Sequence, residues 1–231
     1  MSQAPPEKGL GPAGHRDRLR ARFAKAGPDA LADYELMELL LFSFMPRRDV
    51  KPIAKALIQR FGGVSGVLAA PTEALLEVKG VGETSATMLK AVHALHLAAA
   101  KEEAQRAPVI SSWAALVSYC KVRLQHEQRE QFRVLFLDAK NQLLSDDLMG
   151  EGTVDHAPVY PREIASRALK HAASSVILVH NHPSGDPTPS RADIQMTNQI
   201  VAALKALDIQ VHDHLVIGRT GEVSFKTLNL L

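Results

Sequence analysis

Two histidines two residues apart, followed at a fixed distance by a serine and an aspartate, are the residues of this chain best suited to chemistry. They stand in the stretch His180-Asn181-His182-Pro183-Ser184-Gly185-Asp186-Pro187-Thr188-Pro189-Ser190-Arg191-Ala192-Asp193. Side chains two apart on a strand point to the same face, so the imidazoles of His180 and His182 at a strand end can converge on one ion. The proline- and glycine-rich loop then turns the chain, and Asp193, on the first turn of the next helix, can swing a carboxylate back. Two imidazoles and a carboxylate, with one position left for water, form an open catalytic zinc site. Imidazole suits zinc, whereas calcium takes an all-oxygen shell. Ser190-x-x-Asp193 also reads as a helix-capping arrangement, and a histidine at a strand end is commonly a polar surface residue. Taken one by one the residues favour that structural reading; taken together they favour the metal.

The elements that must position these residues are legible from periodicity. Before His180, SSVILVH is a short buried strand; after the loop, RADIQMTNQIVAALKAL is a helix starting at Ser190. A helix is expected around Trp113–His126, then two strands in REQFRVLFLDAKNQLLSDDLM joined at Asp138–Asn141, and a further strand in EGTVDHAPVY. PREIASRALKHA opens a helix at Pro161, and QVHDHLVIG and GEVSFK close the chain as strands. Strands alternating with helices make the C-terminal part an α/β domain. The first hundred residues read as an all-α bundle: Leu19 and Phe23 on one helix, Asp33 capping the next, then Ile53, Leu57 and Phe61 on a third that stops at Gly62-Gly63. Thr72 caps a short helix, and a last one runs from about Thr84 to Ala100. The expected organisation is a flexible tail over 1–14, a helical domain over 15–100, a linker over 101–108 ended by Pro108, and the α/β domain over 109–231.

Composition narrows the function. With 231 residues, 46% of them hydrophobic and 23% charged, the chain can bury one large or two small cores. Its apolar runs, such as Leu39–Phe42 and Val176–Val179, are far below the ~20 residues of a membrane span, so no membrane partner is expected. The N-terminus has no apolar signal region, and a single cysteine, Cys120, excludes both an intramolecular disulfide and a zinc site with two cysteines of one chain. The cytoplasm is the expected location. The net charge is only +2, with +3 in residues 1–100, short of the basic footprint of a dedicated nucleic-acid binder. Seven of the ten histidines follow residue 101.

The string His180-x-His182, seven residues, Ser190-x-x-Asp193 resembles the JAMM motif of MPN+ metalloproteases. Together with VYPREI, ILVHNHPSG and HDHLVIG it resembles the RadC family, a bacterial branch of that fold. The likeness spans nearly the whole chain, since ELMELLLFS and RRDVKPIAKALIQRFGG are similar to the N-terminal region of the same proteins. The resemblance implies a cytidine-deaminase-like three-layer α/β fold with a mixed sheet over the MPN/JAMM part. It implies one Zn2+ per chain held by His180, His182 and Asp193, with Ser190 steadying the attacking water or the oxyanion. It calls for an upstream glutamate as general acid/base: Glu130 is the best match, with Glu127 and Glu163 as rivals. The implied reaction is metal-assisted hydrolysis of a peptide or isopeptide bond in a peptide or protein substrate, in a family associated with DNA repair.

Other features compete with plain structural roles. In His212-Asp213-His214 the two histidines share a strand face, with Asp213 opposite; a sheet-pairing role is favoured over a second metal, and Asp213 or His214 is placed to orient a ligand histidine. Cys120, between Leu116 and Leu124 on a helix, reads as a core thiol. LLEVKGVGETSATML resembles a helix–hairpin–helix element, in which Lys79, Gly80 and Gly82 would meet a phosphate through backbone N–H groups and a helix N-terminus. An ordinary turn between packed helices explains the same glycines equally well. Any DNA contact through the helical domain is expected to be weak, salt-sensitive and sequence-independent. The competing account is a DNA-associated scaffold whose MPN-like domain is inactive and docks partners; a homodimer is left open. A zinc deaminase is excluded by the lack of a P-C-x-x-C segment.

Overall fold

The computed structural model describes residues 12–109, 111–152 and 159–231. The chain divides into two compact units, residues 1–94 and 95–231.

The first unit is all helical: α1 (Pro12–Ala26), a 3-10 turn (Pro28–Ala30), α2 (Asp33–Phe44), α3 (Lys51–Phe61), α4 (Val64–Ala69), α5 (Thr72–Leu76) and the start of α6 (Glu83–Gln105). In α3 the expected periodicity holds: Ile53, Ala54 and Leu57 are buried on one face. Gly62 then adopts a left-handed conformation at φ 77° and donates its N–H to the Ile58 carbonyl, closing the helix. Their core partners include Leu41, Leu75 and Leu89. Two expected caps are displaced by one residue. Asp33 and Thr72 are the first helical residues, behind Ala32 and Pro71; at α2 the Glu35 carboxylate accepts the Ala32 N–H at 3.1 Å. Helix α4 escaped the sequence reading because Gly62-Gly63 and Gly66 mask it; burial of Val67 and Leu68 holds it in place.

Residues 101–105, expected as linker, continue α6. Lys, Glu, Ala and Gln are good helix formers, and Ala104 is fully buried, packed with Leu116 and Leu143 in the core of the second unit. Residues 12–14, expected as tail, belong to α1; residues 1–11 lie outside the described residues. So does most of EGTVDHAPVY, expected as a further strand.

The second unit contains α7 (Trp113–Leu124), β1 (Gln131–Leu137), β2 (Leu143–Glu151), α8 (Pro161–Lys170), β3 (Ser175–Asn181), α9 (Arg191–Lys205), β4 (Gln210–Gly218) and β5 (Gly221–Ser224). The sheet order is β2-β1-β3-β4-β5. Among the described residues β3 and β4 are the one parallel pair, joined across α9; the other neighbours are antiparallel. Alternation along the strands divides the core into two layers. Leu135, Ile177, Val179 and Leu215 pack with Leu116, Cys120 and Leu124 of α7. Phe132, Phe136, Val176 and Leu178 pack with Ile164 and Ala168 of α8 and Ile200 and Leu204 of α9. The domain is therefore a three-layer α/β/α structure with a mixed sheet. All seven residues of β3 are buried, as expected of a central strand covered on both faces.

Candidate functional site: a His-His-Asp cluster at the end of the central strand

His180 is the sixth residue of β3, on the α8/α9 side of the sheet. Just beyond the strand, His182 still pairs through its backbone: its N–H donates to the Ile217 carbonyl at 2.9 Å. The loop that follows is pinned at several points. Gly185 donates to the His182 carbonyl, and the Gly185 carbonyl accepts the Thr220 hydroxyl. Gly218 lets the loop lie close, since a Cβ there would come within 2.4 Å of the Gly185 oxygen. Asp186 accepts both the backbone N–H and the hydroxyl of Thr188.

The loop delivers the start of α9 to the strand end. Ser190 caps that helix, its Oγ accepting the Asp193 N–H at 3.2 Å while Asp193 Oδ2 accepts the Ser190 N–H at 2.7 Å. The capping reading and the metal reading are thus met by the same residues. The capped carboxylate has Oδ1 at 3.5 Å from His180 Nε2 and Oδ2 at 3.5 Å from His182 Nε2. The potential ligand atoms of His180, His182 and Asp193 all lie within 4.8 Å of one another.

Hydrogen-bond capacity fixes which atoms are available. A carbonyl can only accept, so His182 Nδ1–H donates to the Asp186 carbonyl at 2.8 Å, leaving Nε2 with its lone pair. The Thr197 hydroxyl donates to the Asp193 carbonyl at 2.6 Å. Its oxygen then accepts His214 Nδ1–H at 2.7 Å, and His214 Nε2 accepts His180 Nδ1–H at 2.7 Å. Burial and then the neighbouring His180 push the His214 pKa well below the usual imidazole value, so His214 is neutral, as this chain of bonds requires. His180 Nε2 is therefore also a bare lone pair. The two Nε2 atoms face each other at 2.9 Å, an arrangement that calls for a cation or a shared proton between them. Nitrogen and carboxylate donors in this set fit zinc.

The electrostatics agree. Burial would raise the Asp193 carboxyl, but the adjacent imidazoles of His180 and His182 hold it far below the ordinary range. The adjacent Asp193 carboxylate raises His182, and the Glu130 carboxylate acts on it in the same direction through its charge.

Among the glutamates, Glu130 is buried at the start of β1, and its carbonyl accepts the Gly152 N–H. Glu127 is exposed in the α7–β1 loop. Glu163, on the first turn of α8, is exposed and paired with Arg162 at 3.5 Å. Of the three, Glu130 is the one whose charge acts on His182 of the cluster.

His212 and His214 do not share a face. A bulge shifts the β3–β4 register between Val176 and Ile177, so His214 meets His180 while His212 turns to Asn141 at 2.6 Å. Asp213 serves the sheet instead, accepting the Ser224 hydroxyl and the Lys226 N–H. Cys120 is buried, and burial pushes its thiol pKa up, as befits an inert core residue. Sequence reasoning missed Thr197 and Asn181. Thr197 stands four after Asp193, a helical spacing that would have placed it beside the site, but threonine inside a helix carries no chemical signature of its own.

In the first unit, Lys79, Gly80 and Gly82 lie in the turn between α5 and α6, with Gly80 at φ 98°. Arg48 donates to the Gly80 carbonyl at 3.2 Å, and Arg47 and Arg48 line one groove with Gly80, Gly82 and Glu83. The arginines were not singled out in the sequence.

Two family models match the chain. Residues 110–230 match the RadC-like JAB domain, and residues 13–87 match the UPF0758 N-terminal domain.

Proposed function

The chain belongs to the RadC family, and on that premise we propose that its C-terminal domain is a zinc-dependent hydrolase of peptide or isopeptide bonds. The observation that carries this reading is the convergence of two imidazole lone pairs and the Asp193 carboxylate at the end of β3, with the charge of Glu130 felt by His182. His180, His182 and Asp193 would hold one Zn2+. When bound, zinc supplies a Lewis acid that polarises a scissile carbonyl and acidifies water. Glu130 takes the proton of the attacking water and hands it to the leaving amine. Ser190, whose Oγ accepts the Asp193 N–H, keeps its own hydroxyl proton free to donate to the developing oxyanion. The 2.7 Å contact from His214 holds the His180 ring in the ligating tautomer.

The test is metal content by elemental analysis of the wild type and of His182→Ala, followed by cleavage of a fluorogenic peptide library. The expected result is about one zinc per chain, lost in the variant. Glu130→Gln should keep the zinc and lose 10²–10⁴-fold in rate. A wild type that takes up no zinc from zinc-supplemented buffer overturns the reading.

A second reading is favoured by the groove where Arg47 and Arg48 flank the Gly80–Gly82 turn: a DNA-associated scaffold in which the helical unit contacts phosphates. Lys79, Gly80 and Gly82 would then supply the weak, sequence-independent contact. Arg47→Glu/Arg48→Glu should abolish retention of a DNA duplex at low salt; unchanged retention removes this reading.

A further inference from the structure

We propose that Asn181, the residue between the two metal-binding histidines, is a positioning residue that sets Glu130 beside the cluster; this rests on the hydrolase reading for the role of Glu130. Strand alternation turns Asn181 away from His180, toward the α7 side of the sheet. There it is 1% exposed, and its side-chain amide is fully engaged. Asn181 Oδ1 accepts the Gln131 N–H at 2.9 Å. Asn181 Nδ2 donates to the Arg129 carbonyl at 3.0 Å and the Glu127 carbonyl at 3.4 Å. All three partners belong to the five residues that lead into β1, and Glu130 lies between two of them.

The register explains why a side chain is needed. Antiparallel pairing of β1 with β3 ends at Phe132–His180. One residue further out, the Gln131 N–H has lost the regular ladder, and the Asn181 side chain accepts it instead. No other residue type offers one acceptor and two donors in so short a planar group. The clamp is fixed to the strand that carries His180, so the spacing between the metal ligands and the base is set across one residue. Gly152 fastens the other side of the segment by donating to the Glu130 carbonyl at 2.9 Å.

The experiment uses the full chain with Asn181→Ala and Asn181→Asp; the aspartate keeps the acceptor and loses both donors. The first readout is amide hydrogen exchange of residues 125–132, expected to quicken at least tenfold in both variants while residues 215–217 of β4 stay protected. The second is the visible absorption of the cobalt(II)-loaded protein. N181A should bind cobalt within threefold of the wild type and show the spectral change that Glu130→Gln shows, and the double variant should add nothing to it. Unchanged exchange at 125–132 overturns the proposal, as does a wild-type cobalt spectrum in N181A or an additive change in the double variant. If the wild type binds cobalt but cleaves no peptide while both readouts behave as expected, the hydrolase reading fails and the positioning role of Asn181 stands.

Discussion

His214 Nε2 lies 2.7 Å from His180 Nδ1, and its other ring nitrogen lies 2.7 Å from the Thr197 hydroxyl. The two histidines come from neighbouring parallel strands, and the threonine from the helix that crosses between them. Thr197→Val is nearly isosteric, yet it leaves a buried His214 N–H without an acceptor and frees the ring to reverse its tautomer. Loss of such an outer hydrogen bond typically weakens metal binding 10–100-fold. Chelator competition with zinc should show a loss of that size for both Thr197→Val and His214→Ala, and an unchanged affinity in both would refute the tautomer assignment.

Ser190 has one duty in the fold and, in the proposed hydrolase, a second that can be separated from it. As the cap of α9 it accepts the Asp193 N–H, so Ser190→Ala should cost about 1 kcal/mol of stability. As a hydroxyl donor to an oxyanion it should also be worth roughly 10²–10³ in kcat. Ser190→Asp restores the capping acceptor without the donor. Thermal melts should show Asp close to wild type and Ala lower, while turnover falls in both. Recovered turnover in the aspartate variant would assign the serine to capping alone.

Acid sensitivity should trace in part to Asp147 on β2. Burial raises its carboxyl, but Ser145 at 2.6 Å, His171 at 3.0 Å and Arg167 at 3.0 Å outweigh that and bring it down to about 2. A depressed carboxyl binds fewer protons folded than unfolded. Its stabilisation is therefore complete above the ordinary value near 3.8 and disappears as pH falls through about 2. With solvent screening allowed for, the contribution is about 1 kcal/mol. Urea midpoints of wild type and Asp147→Asn should differ at pH 7 and converge as pH falls through about 2; a constant difference would assign the effect to packing.

On the other face of the same strand, Asp146 accepts Arg133 Nε–H at 2.8 Å and the Tyr119 hydroxyl, with the Arg133 and Asp146 side chains 7% and 3% exposed. Removing one buried charge strands the other, so Asp146→Ala should cost about 3–5 kcal/mol. Asp146→Leu combined with Arg133→Met should recover most of that, measured by denaturant unfolding. A double variant as unstable as Asp146→Ala would show that the pair stabilises the fold beyond mutual neutralisation.

Much of the site was legible because its residues are close in sequence. His180, His182, Ser190 and Asp193 span one strand end, one loop and one helix start, and their spacing obeys local geometry. The α/β elements were legible for the same reason, each carrying its own periodicity. What could not be read depended on pairing across the sheet. The face of His212 was misassigned because a single bulge opposite Val176 reverses the alternation. The partnership of His214 with Thr197 depends on how α9 lies over β4, and Asn181 acquires its role only where the β1–β3 ladder ends. Residues 101–105 read as linker from their charge, yet α6 continues through them and Ala104 is buried.

The central place of β3 has a consequence for how this protein would handle a metal. One of the three donors hangs from a strand that is covered on both faces and hydrogen-bonded on both edges, a second is held just beyond it by the bond from its N–H to the Ile217 carbonyl, and the third is fixed by a helix cap. Strand pairing and the helix cap fix the donors through their own hydrogen bonds, so little chain ordering is left for an ion to drive, in contrast to a zinc finger, which folds only around its metal. Loading and stripping would then be reversible events on a standing fold, and the supply of metal could turn such a hydrolase on or off without exposing it to degradation.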